Sequence, residues 1–457
     1  MSLSRLSNFL QKSSKTHGYG ARVYRSPYNL AAIAANGEDD DNSYCREGLT
    51  SALMLAILTT HPIQYQVPLW QALAVDGRVP FEVWYLTSHG VRPSADREFG
   101  QTFSWDIDTL TGYPHRFLRA VEGATPAAFL KCRLGEGLRG RLRASGALAL
   151  WIQGWQVAAY WQAVREAQAA GVEMWLRGES NDLAPQPLWK RPLKRAQLGW
   201  LFRRVDRFFY IGSANRRLYE RFGVTDRQLY SAPYAVDNSR FAQQAAALRP
   251  HRAELRRQWG IPEDSFCVLF CGKFIEKKHP MDLVAAARCL SDRGLLPNLH
   301  LLFVGSGALG SELRRSCNVV FDAESPLAFS PQQPSLPPTS FAGFMNQTEI
   351  SRAYVAADCL VLPSGHGETW GLVVNEALAS GLTCLVSDAC GCAEELAGEA
   401  GSFQFSNISE LASKLVRVAN EGGKLAVPPP ISESVSSICR AYSDLVAASG
   451  VQRQLTA

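Results

Sequence analysis

Leu362-Pro-Ser-Gly-His-Gly-Glu-Thr-Trp-Gly-Leu-Val-Val-Asn-Glu376 places two carboxylates, Glu368 and Glu376, eight positions apart, on either side of Trp370-Gly371-Leu372. The run ahead of it, Asp358-Cys-Leu-Val-Leu-Pro363, is short and apolar, as a buried parallel strand requires. The run behind it reads as a helix. A strand, a glycine-bearing loop and a helix start, in that order, aim backbone N–H groups and a positive helix end at an anion. One carboxylate ahead of that anion site and another inside the helix suit a bound nucleotide sugar. The phosphates would meet the helix start and the carboxylates the sugar hydroxyls.

Outward from this stretch the same alternation repeats. Strands are predicted over residues 266–270, 300–304, 340–342, 359–362 and 383–386, with helices over 281–293, 310–316, 347–357 and 372–380. An earlier series has strands over 53–58, 81–86, 147–152, 173–176 and 207–211, with helices over 66–74, 157–170 and 214–222. Strand–helix alternation predicts an α/β fold with doubly wound parallel sheets. Pro233-Tyr-Ala-Val-Asp-Asn-Ser-Arg-Phe241 reads as a connector between the two series, and 252–259 as a helix. The expected organisation is an extension over 1–52, a Rossmann-like domain over 53–236, a second over 237–428, and a final helix and tail over 429–457. Ligands of such sheets bind at the carboxyl ends of the strands, so two facing sheets predict a ligand held between them. Residues 321–340, with Pro331, Pro334, Pro337 and Pro338, predict an irregular exposed insert.

The composition agrees with a soluble globular chain of 457 residues. No apolar run approaches the roughly 18–20 residues of a membrane span. A net charge of +5 fits an anionic ligand or a membrane surface and is too diffuse to argue for nucleic acid. The eleven cysteines show no zinc spacing or disulfide framework, which suggests buried free thiols and a cytoplasmic setting. The first 37 residues are basic and acid-poor, compatible with a transit peptide; a disordered extension or a misplaced start codon is the preferred reading, because Met54 opens a strand directly.

Several loops then carry candidate chemistry. Gly272-Lys-Phe-Ile-Glu-Lys-Lys-His279 follows a strand, and Lys273 and Lys278 could neutralise a diphosphate. Gly305-Ser-Gly-Ala-Leu-Gly310 matches G-x-G-x-x-G and invites a dinucleotide-dependent oxidoreductase. Two features oppose that reading: the motif does not follow the first strand of its unit, and Asp322 and Glu324 fall in the irregular segment. A turn touching base or ribose fits Gly305 and Gly307 better, beside the plain alternative of a strand–helix turn. His61, Gln153 and Glu179 follow strands of the first series and are placed to meet donor or acceptor, although each singly is more often scaffold. Residues 189–207 carry seven cations interleaved with Leu193, Leu198, Trp200, Leu201 and Phe202, a basic amphipathic face suited to anionic lipid or, equally, to packing on its own domain. No G-x-S-x-G elbow, P-loop or H-E-x-x-H stands out, which removes several hydrolase and kinase classes.

Taken together, these segments resemble the retaining glycosyltransferases of family 4, which have the two-domain GT-B fold. Glu368-x7-Glu376 matches that family's E-x7-E signature, and Gly272-Lys273-x4-Lys278 is similar to its Gly-Arg-x4-Lys segment, with Lys273 where Arg is usual. Val304-Gly-Ser-Gly307 and Phe341-Ala-Gly-Phe344 fall at two further landmarks. The resemblance covers about residues 54–447. It implies a nucleotide-diphosphate sugar donor, transfer to a glycan, lipid-linked or small-molecule hydroxyl, and no metal or other cofactor. It implies that Glu376 meets the ribose, that Glu368 approaches the sugar, and that Lys273, Lys278 and the backbone around Trp370, Gly371, Leu372 and Val373 hold the diphosphate. Residues 59–65 lack the double glycine that many members place near the diphosphate. A non-catalytic protein of the same fold, or an epimerase, shares the architecture.

Overall fold

The structure is a computed structural model that describes residues 53–91, 94–96, 101–103, 105–118, 128–183, 189, 191–324, 335–397, 401–422 and 426–449. The extension over 1–52 and the centre of the proline-rich insert lie outside the described residues. The first sheet contains β1 (Met54–Thr59) and β2 (Phe81–Tyr85). A short antiparallel pair, β3 (Ser94–Asp96) and β4 (Gln101–Phe103), stands apart from it. The sheet continues with β5 (His115–Phe117), β6 (Ala147–Ile152), β7 (Glu173–Arg177), β8 (Arg207–Tyr210) and β9 (Leu229–Ser231). Its seven parallel strands run in the order β5-β2-β1-β6-β7-β8-β9.

The second sheet contains β10 (Phe266–Cys271), β11 (Leu299–Val304), β12 (Asn318–Asp322), β13 (Pro338–Phe341), β14 (Cys359–Leu362), β15 (Thr383–Ser387) and β16 (Ser402–Phe403). Its order is β12-β13-β11-β10-β14-β15-β16, again all parallel. In each sheet the chain first builds outward on one side of a central strand and then crosses to the other side. The reversal falls between β1 and β6 in the first sheet and between β10 and β14 in the second. Such a reversal leaves a crevice at the carboxyl ends of the two strands concerned.

Both central strands are covered on both faces, which is why their sequences are apolar without alternation. Leu55 and Ile57 join one core cluster while Ala56 and Leu58 join the opposite one. Val268 and Phe270 likewise face away from Cys267 and Leu269. Complete burial of each Leu or Phe contributes about 2 kcal/mol. The helices present matching stripes; Ala159, Tyr160, Ala163, Val164 and Ala167 form the buried face of helix Ala158–Ala170. At the amino ends, the Asp358 carboxylate accepts from the Cys267 N–H at 2.8 Å and from Arg252 and Arg256 at 2.6 Å each, tying β10 to β14.

The polypeptide passes between the halves twice. The first passage is residues 232–237; the second leads into helix Ile431–Ala448, which returns to the first half. Its Val435, Ile438, Cys439, Tyr442 and Leu445 complete the core on one face of the first sheet. The passages touch: Asn238 Nδ2 donates to the Pro429 carbonyl at 3.2 Å, and Ser434 Oγ to the Pro233 carbonyl at 3.1 Å.

Three local expectations change. The insert over 321–340 is irregular only in part: Phe321 and Asp322 end β12, and Pro338 opens β13, which lies between β12 and β11. Proline is admitted there because it is the first strand residue, where its missing N–H costs least. The connector ends earlier than expected, because Asp237 caps helix Asn238–Leu248 by accepting from the Arg240 N–H. The helix expected over 347–357 is helical only at Ser351–Ala356, with a turn before it.

Candidate functional site at the two strand reversals

The loops after β10 and β14 meet at the second reversal. Lys278 Nζ contacts the Glu368 carboxylate, and the Gly365 N–H donates to the Lys277 carbonyl at 3.1 Å. Burial pushes the Glu368 carboxyl upward, but Lys278 and then Lys277 outweigh it and hold the group below its ordinary value. The Glu368 carboxylate and the Lys278 ammonium thereby face each other where the two loops meet. Lys273 sits half-buried on the same loop as Lys278.

Gly371 has φ +108° and starts helix Leu372–Ala379. A Cβ there would lie 2.6 Å from a Leu362 methyl, so only glycine permits both this turn and the packing of the loop on β14. The first turn of the helix, with half-buried Leu372 and Val373, leaves N–H groups without helical acceptors. Trp370 faces elsewhere. Its indole is buried, donates to Asn375 Oδ1 at 2.8 Å and lies 6.2 Å from the Tyr234 ring. The side chain is thus packed between the halves, against Gly212 and Tyr234 of the first.

Glu376 is 4% exposed. Its two oxygens accept from Tyr354 Oη at 2.6 Å and from Gln347 Nε2 at 3.2 Å. Burial raises its pKa, and the bonds from Tyr354 and Gln347 oppose that rise. Tyr65, from the loop after β1, packs against the same core and lies close enough to feel the carboxylate. Each carboxylate oxygen keeps a further lone pair, so these partners orient the group without exhausting it.

Gly305 and Gly307 allow two loops to pack closely. A Cβ on Gly305 would stand 2.0 Å from the Gly272 carbonyl oxygen, and one on Gly307 2.6 Å from that of Phe274. The Gly305 N–H donates to the Gly343 carbonyl at 2.9 Å. These glycines let the loop after β11 press against the loop after β10, placing Lys273 and Lys278. Asp322 ends a strand after all, but it is taken by Arg314 at 2.5 and 3.0 Å.

The first reversal gathers the remaining candidates less tightly. The His61 ring approaches Thr60 Oγ1 at 2.9 Å and the His89 ring at 5.2 Å, and burial followed by His89 lowers its pKa to about 4. It is a neutral imidazole at ordinary pH. Gln153 is buried, with Nε2 lacking a protein partner. Glu179 is exposed and accepts from Tyr234 Oη. Tyr234 in turn lies under the buried Arg177 guanidinium, 4.5 Å away.

Several contacts join the two halves. Asn181 Nδ2 donates to the Thr369 carbonyl at 3.3 Å, and Arg217 pairs with Glu394 at 2.6 Å. Asp106 also accepts from the N–H groups of Gln347 and Thr348 at 3.1 and 3.0 Å. Sequence reading missed Tyr65, Asp106, Gln347, Tyr354 and Asn375. Gln347 follows β13 and Tyr65 follows β1, so their places at strand carboxyl ends were the available signal. Among the described residues, no group of three or more His, Cys, Asp or Glu side chains is arranged for a metal ion.

The basic segment over 189–207 is partly committed internally. Arg207 pairs with Glu173 at 2.6 Å, and Arg204 stacks on Trp200 at 4.1 Å, while Trp200 stacks on Trp161. Trp189 and Leu193 are 76% and 65% exposed. No helix among the described residues is long and apolar enough to cross a membrane.

Residues 265–421 match the family model described as Glycosyl transferases group 1. A D-inositol 3-phosphate glycosyltransferase of Geodermatophilus obscurus is 32% identical over 180 residues, covering 38% of this chain and 36% of that protein. A GDP-mannose-dependent alpha-(1-6)-phosphatidylinositol dimannoside mannosyltransferase of Mycobacterium tuberculosis is 25% identical over 189 residues, covering 41% of this chain and 42% of that one. The chain therefore spans well under half the length of these curated relatives. Among solved structures, Anabaena Alr3699/HepE in complex with UDP superposes with a TM-score of 0.57 at 14% identity, over 89% of this chain and 100% of that one. The alpha,alpha-trehalose 6-phosphate synthase of Burkholderia multivorans gives 0.58 at 13% identity, over 88% and 100%. At such identities the likeness speaks to fold alone. The chain has the GT-B architecture of two Rossmann-like domains, and its second half carries a glycosyl transferases group 1 domain.

Proposed function

We propose that this chain is a retaining, metal-independent glycosyltransferase of family 4, moving a sugar from a nucleotide-diphosphate donor to an acceptor hydroxyl. The observation that carries the reading is the Lys278–Glu368 contact, which joins the two loops of the second strand reversal beside the start of helix Leu372–Ala379. The similarity of residues 265–421 to glycosyltransferases supports it.

In this reading the donor diphosphate lies against Lys273, Lys278 and the N–H groups of Leu372 and Val373. Lys278 exchanges Glu368 for a phosphate oxygen and stabilises the leaving group as the bond from the anomeric carbon to that oxygen breaks. The acceptor oxygen bonds to the same face of the sugar and gives its proton to the departing phosphate. Glu368, released from Lys278, approaches the sugar as a charged stabiliser and hydrogen-bond acceptor and forms no covalent bond. Glu376, oriented by Tyr354 and Gln347, meets the ribose. His61, Gln153 and Glu179 face the acceptor from the first half, His61 as a neutral group. Two cations at the phosphates supply charge stabilisation of the kind a metal ion would otherwise bring.

Calorimetric titration with UDP-, GDP- and ADP-sugars and with NADH tests the reading. One nucleotide sugar is expected to bind and NADH to fail. Glu376→Ala is expected to weaken donor binding, and Glu368→Ala to abolish transfer with binding retained. Tight NADH binding alone, or full activity in both variants, overturns it. We further propose a cytoplasmic protein that touches membrane through Trp189, Leu193 and the cations of 190–203. Co-sedimentation with phosphatidylglycerol vesicles, lost in Trp189→Ala/Leu193→Ala, checks this.

A further inference from the structure

Gln347 stands between the first half of the molecule and Glu376. Its backbone N–H meets Asp106 Oδ1 at 3.1 Å, and the neighbouring Thr348 N–H meets Asp106 Oδ2 at 3.0 Å, with the Thr348 hydroxyl on the same oxygen. Its side chain turns the other way. Nε2 donates to Glu376 Oε1 at 3.2 Å, while Oε1 accepts from Arg240 NH2 at 2.7 Å. Arg240 NH1 also donates to the Gln347 carbonyl at 2.9 Å. The partners fix the orientation of the amide, because guanidinium can only donate and a carboxylate can only accept. Gln347 is 7% exposed, so neither side-chain bond has water as a ready substitute.

Asp106 belongs to a loop of the first half, 241 residues earlier in the chain. Its carboxylate caps a turn whose own cap is already present, since Asn346 Oδ1 also accepts from the Gln347 N–H, at 3.0 Å. The turn therefore keeps its local bond when Asp106 leaves. What Asp106 adds is an attachment between halves, made at the residue whose other end orients Glu376. Charge-assisted bonds of this kind are roughly twice as strong as neutral ones.

We propose that Asp106 and Gln347 form a strap through which seating of the first half on the second sets the orientation of the Glu376 carboxylate, so that closure and nucleotide binding reinforce each other. Gln347 is a positioning residue, acting on ligand through Glu376. The proposal rests on the assignment of Glu376 to the nucleotide. Linkage requires the effect to be reciprocal: whatever closure adds to nucleotide affinity, nucleotide adds to closure.

A double-mutant cycle read in the affinity for UDP, GDP or ADP, whichever the wild-type chain binds, tests it. Asp106→Ala is expected to weaken that nucleotide about ten-fold, and Gln347→Leu, which keeps the backbone N–H seen by Asp106, by a similar factor. The double variant is expected to lose about ten-fold as well, not about a hundred-fold, because the strap is already cut. A merely structural role for either residue would lower the melting temperature without this non-additivity. Independent, multiplying losses, or an Asp106→Ala variant with wild-type affinity, overturn the strap alone. A correctly folded wild type that binds none of the three nucleotides overturns the glycosyltransferase reading and the strap with it.

Discussion

Asn375 Nδ2 donates to the Tyr234 carbonyl oxygen at 3.0 Å, across 141 residues of chain, while Asn375 Oδ1 accepts from the Trp370 indole. The amide is wholly buried and both of its ends are used. The side chain immediately before Glu376 is therefore bolted to the passage between the halves.

Replacing Asn375 by Leu keeps the branching at Cγ and removes both bonds, leaving a buried indole N–H and a buried carbonyl unsatisfied. Each orphaned group costs about 1–3 kcal/mol. The expected loss is about 2–5 kcal/mol, read by urea denaturation, with Trp370→Phe recovering part of it in the double variant because the indole donor is gone. Additive losses would show that the two groups do not share this amide.

Lys278 and Glu368 form a charge pair in which both side chains are largely sheltered. Removing one takes from the other its direct ion-pair partner. Glu368→Gln and Lys278→Met are each expected to cost about 1–3 kcal/mol, and the double variant less than their sum by about 1–2 kcal/mol. Denaturation of the four proteins at one pH measures this. Strict additivity would mean that the pair does not form in solution.

Gly305→Ala and Gly310→Ala separate backbone crowding from the G-x-G-x-x-G pattern. At Gly305, with φ +131°, the new methyl would collide with the Gly272 carbonyl. At Gly310 the nearest atom is the flexible end of Arg314, at 3.0 Å. The first change is expected to cost more than about 3 kcal/mol and to displace the lysine loop, abolishing nucleotide binding. The second should stay within about 1 kcal/mol. Equal effects on melting and binding would contradict the crowding argument.

Acid sensitivity should trace to histidine. His300 is fully buried, bonded to Ser340 Oγ at 2.9 Å, and burial followed by Arg256 lowers its pKa to about 4; His61 is held near the same value. An unfolded histidine takes up its proton near pH 6.5, whereas these do so only near pH 4. Stability therefore falls as the pH drops from about 6.5 towards 4, by a ceiling of about 3 kcal/mol for His300 and less for the more exposed His61. Glu376, raised by burial, has the opposite sign and costs stability at neutral pH. Comparing His300→Gln with the wild type at each pH cancels that contribution. The variant's stability should depend less steeply on pH in this window; an unchanged slope would sink the assignment.

Much of this was legible in the residues themselves. Apolar runs such as 266–270 and 359–362 are buried on both faces, so burial wrote itself into composition. Lys278 and Glu368 were legible because rules about strand carboxyl ends place loops without any knowledge of distances. The close packing of Trp370 and Gly305 was not legible, because a residue type that suits a ligand also suits close packing, and only coordinates show which neighbour lies beside it. Gln347 and Asp106 left no local signal, since their significance is a contact between segments 241 residues apart. The turn over 347–350 looked helical because its composition tolerates helix, whereas the N–H groups of Gln347 and Thr348 are met from outside by Asp106.

The return of helix Ile431–Ala448 to the first sheet makes the second sheet and its helices an insertion, entered and left through two touching strands of chain near Asn238 and Pro429. Two touching tethers that run in opposite directions act as the leaves of a door hinge. They permit opening about a single axis and resist twisting and sliding. Whatever moves in this molecule must then open widest at the edge farthest from those tethers.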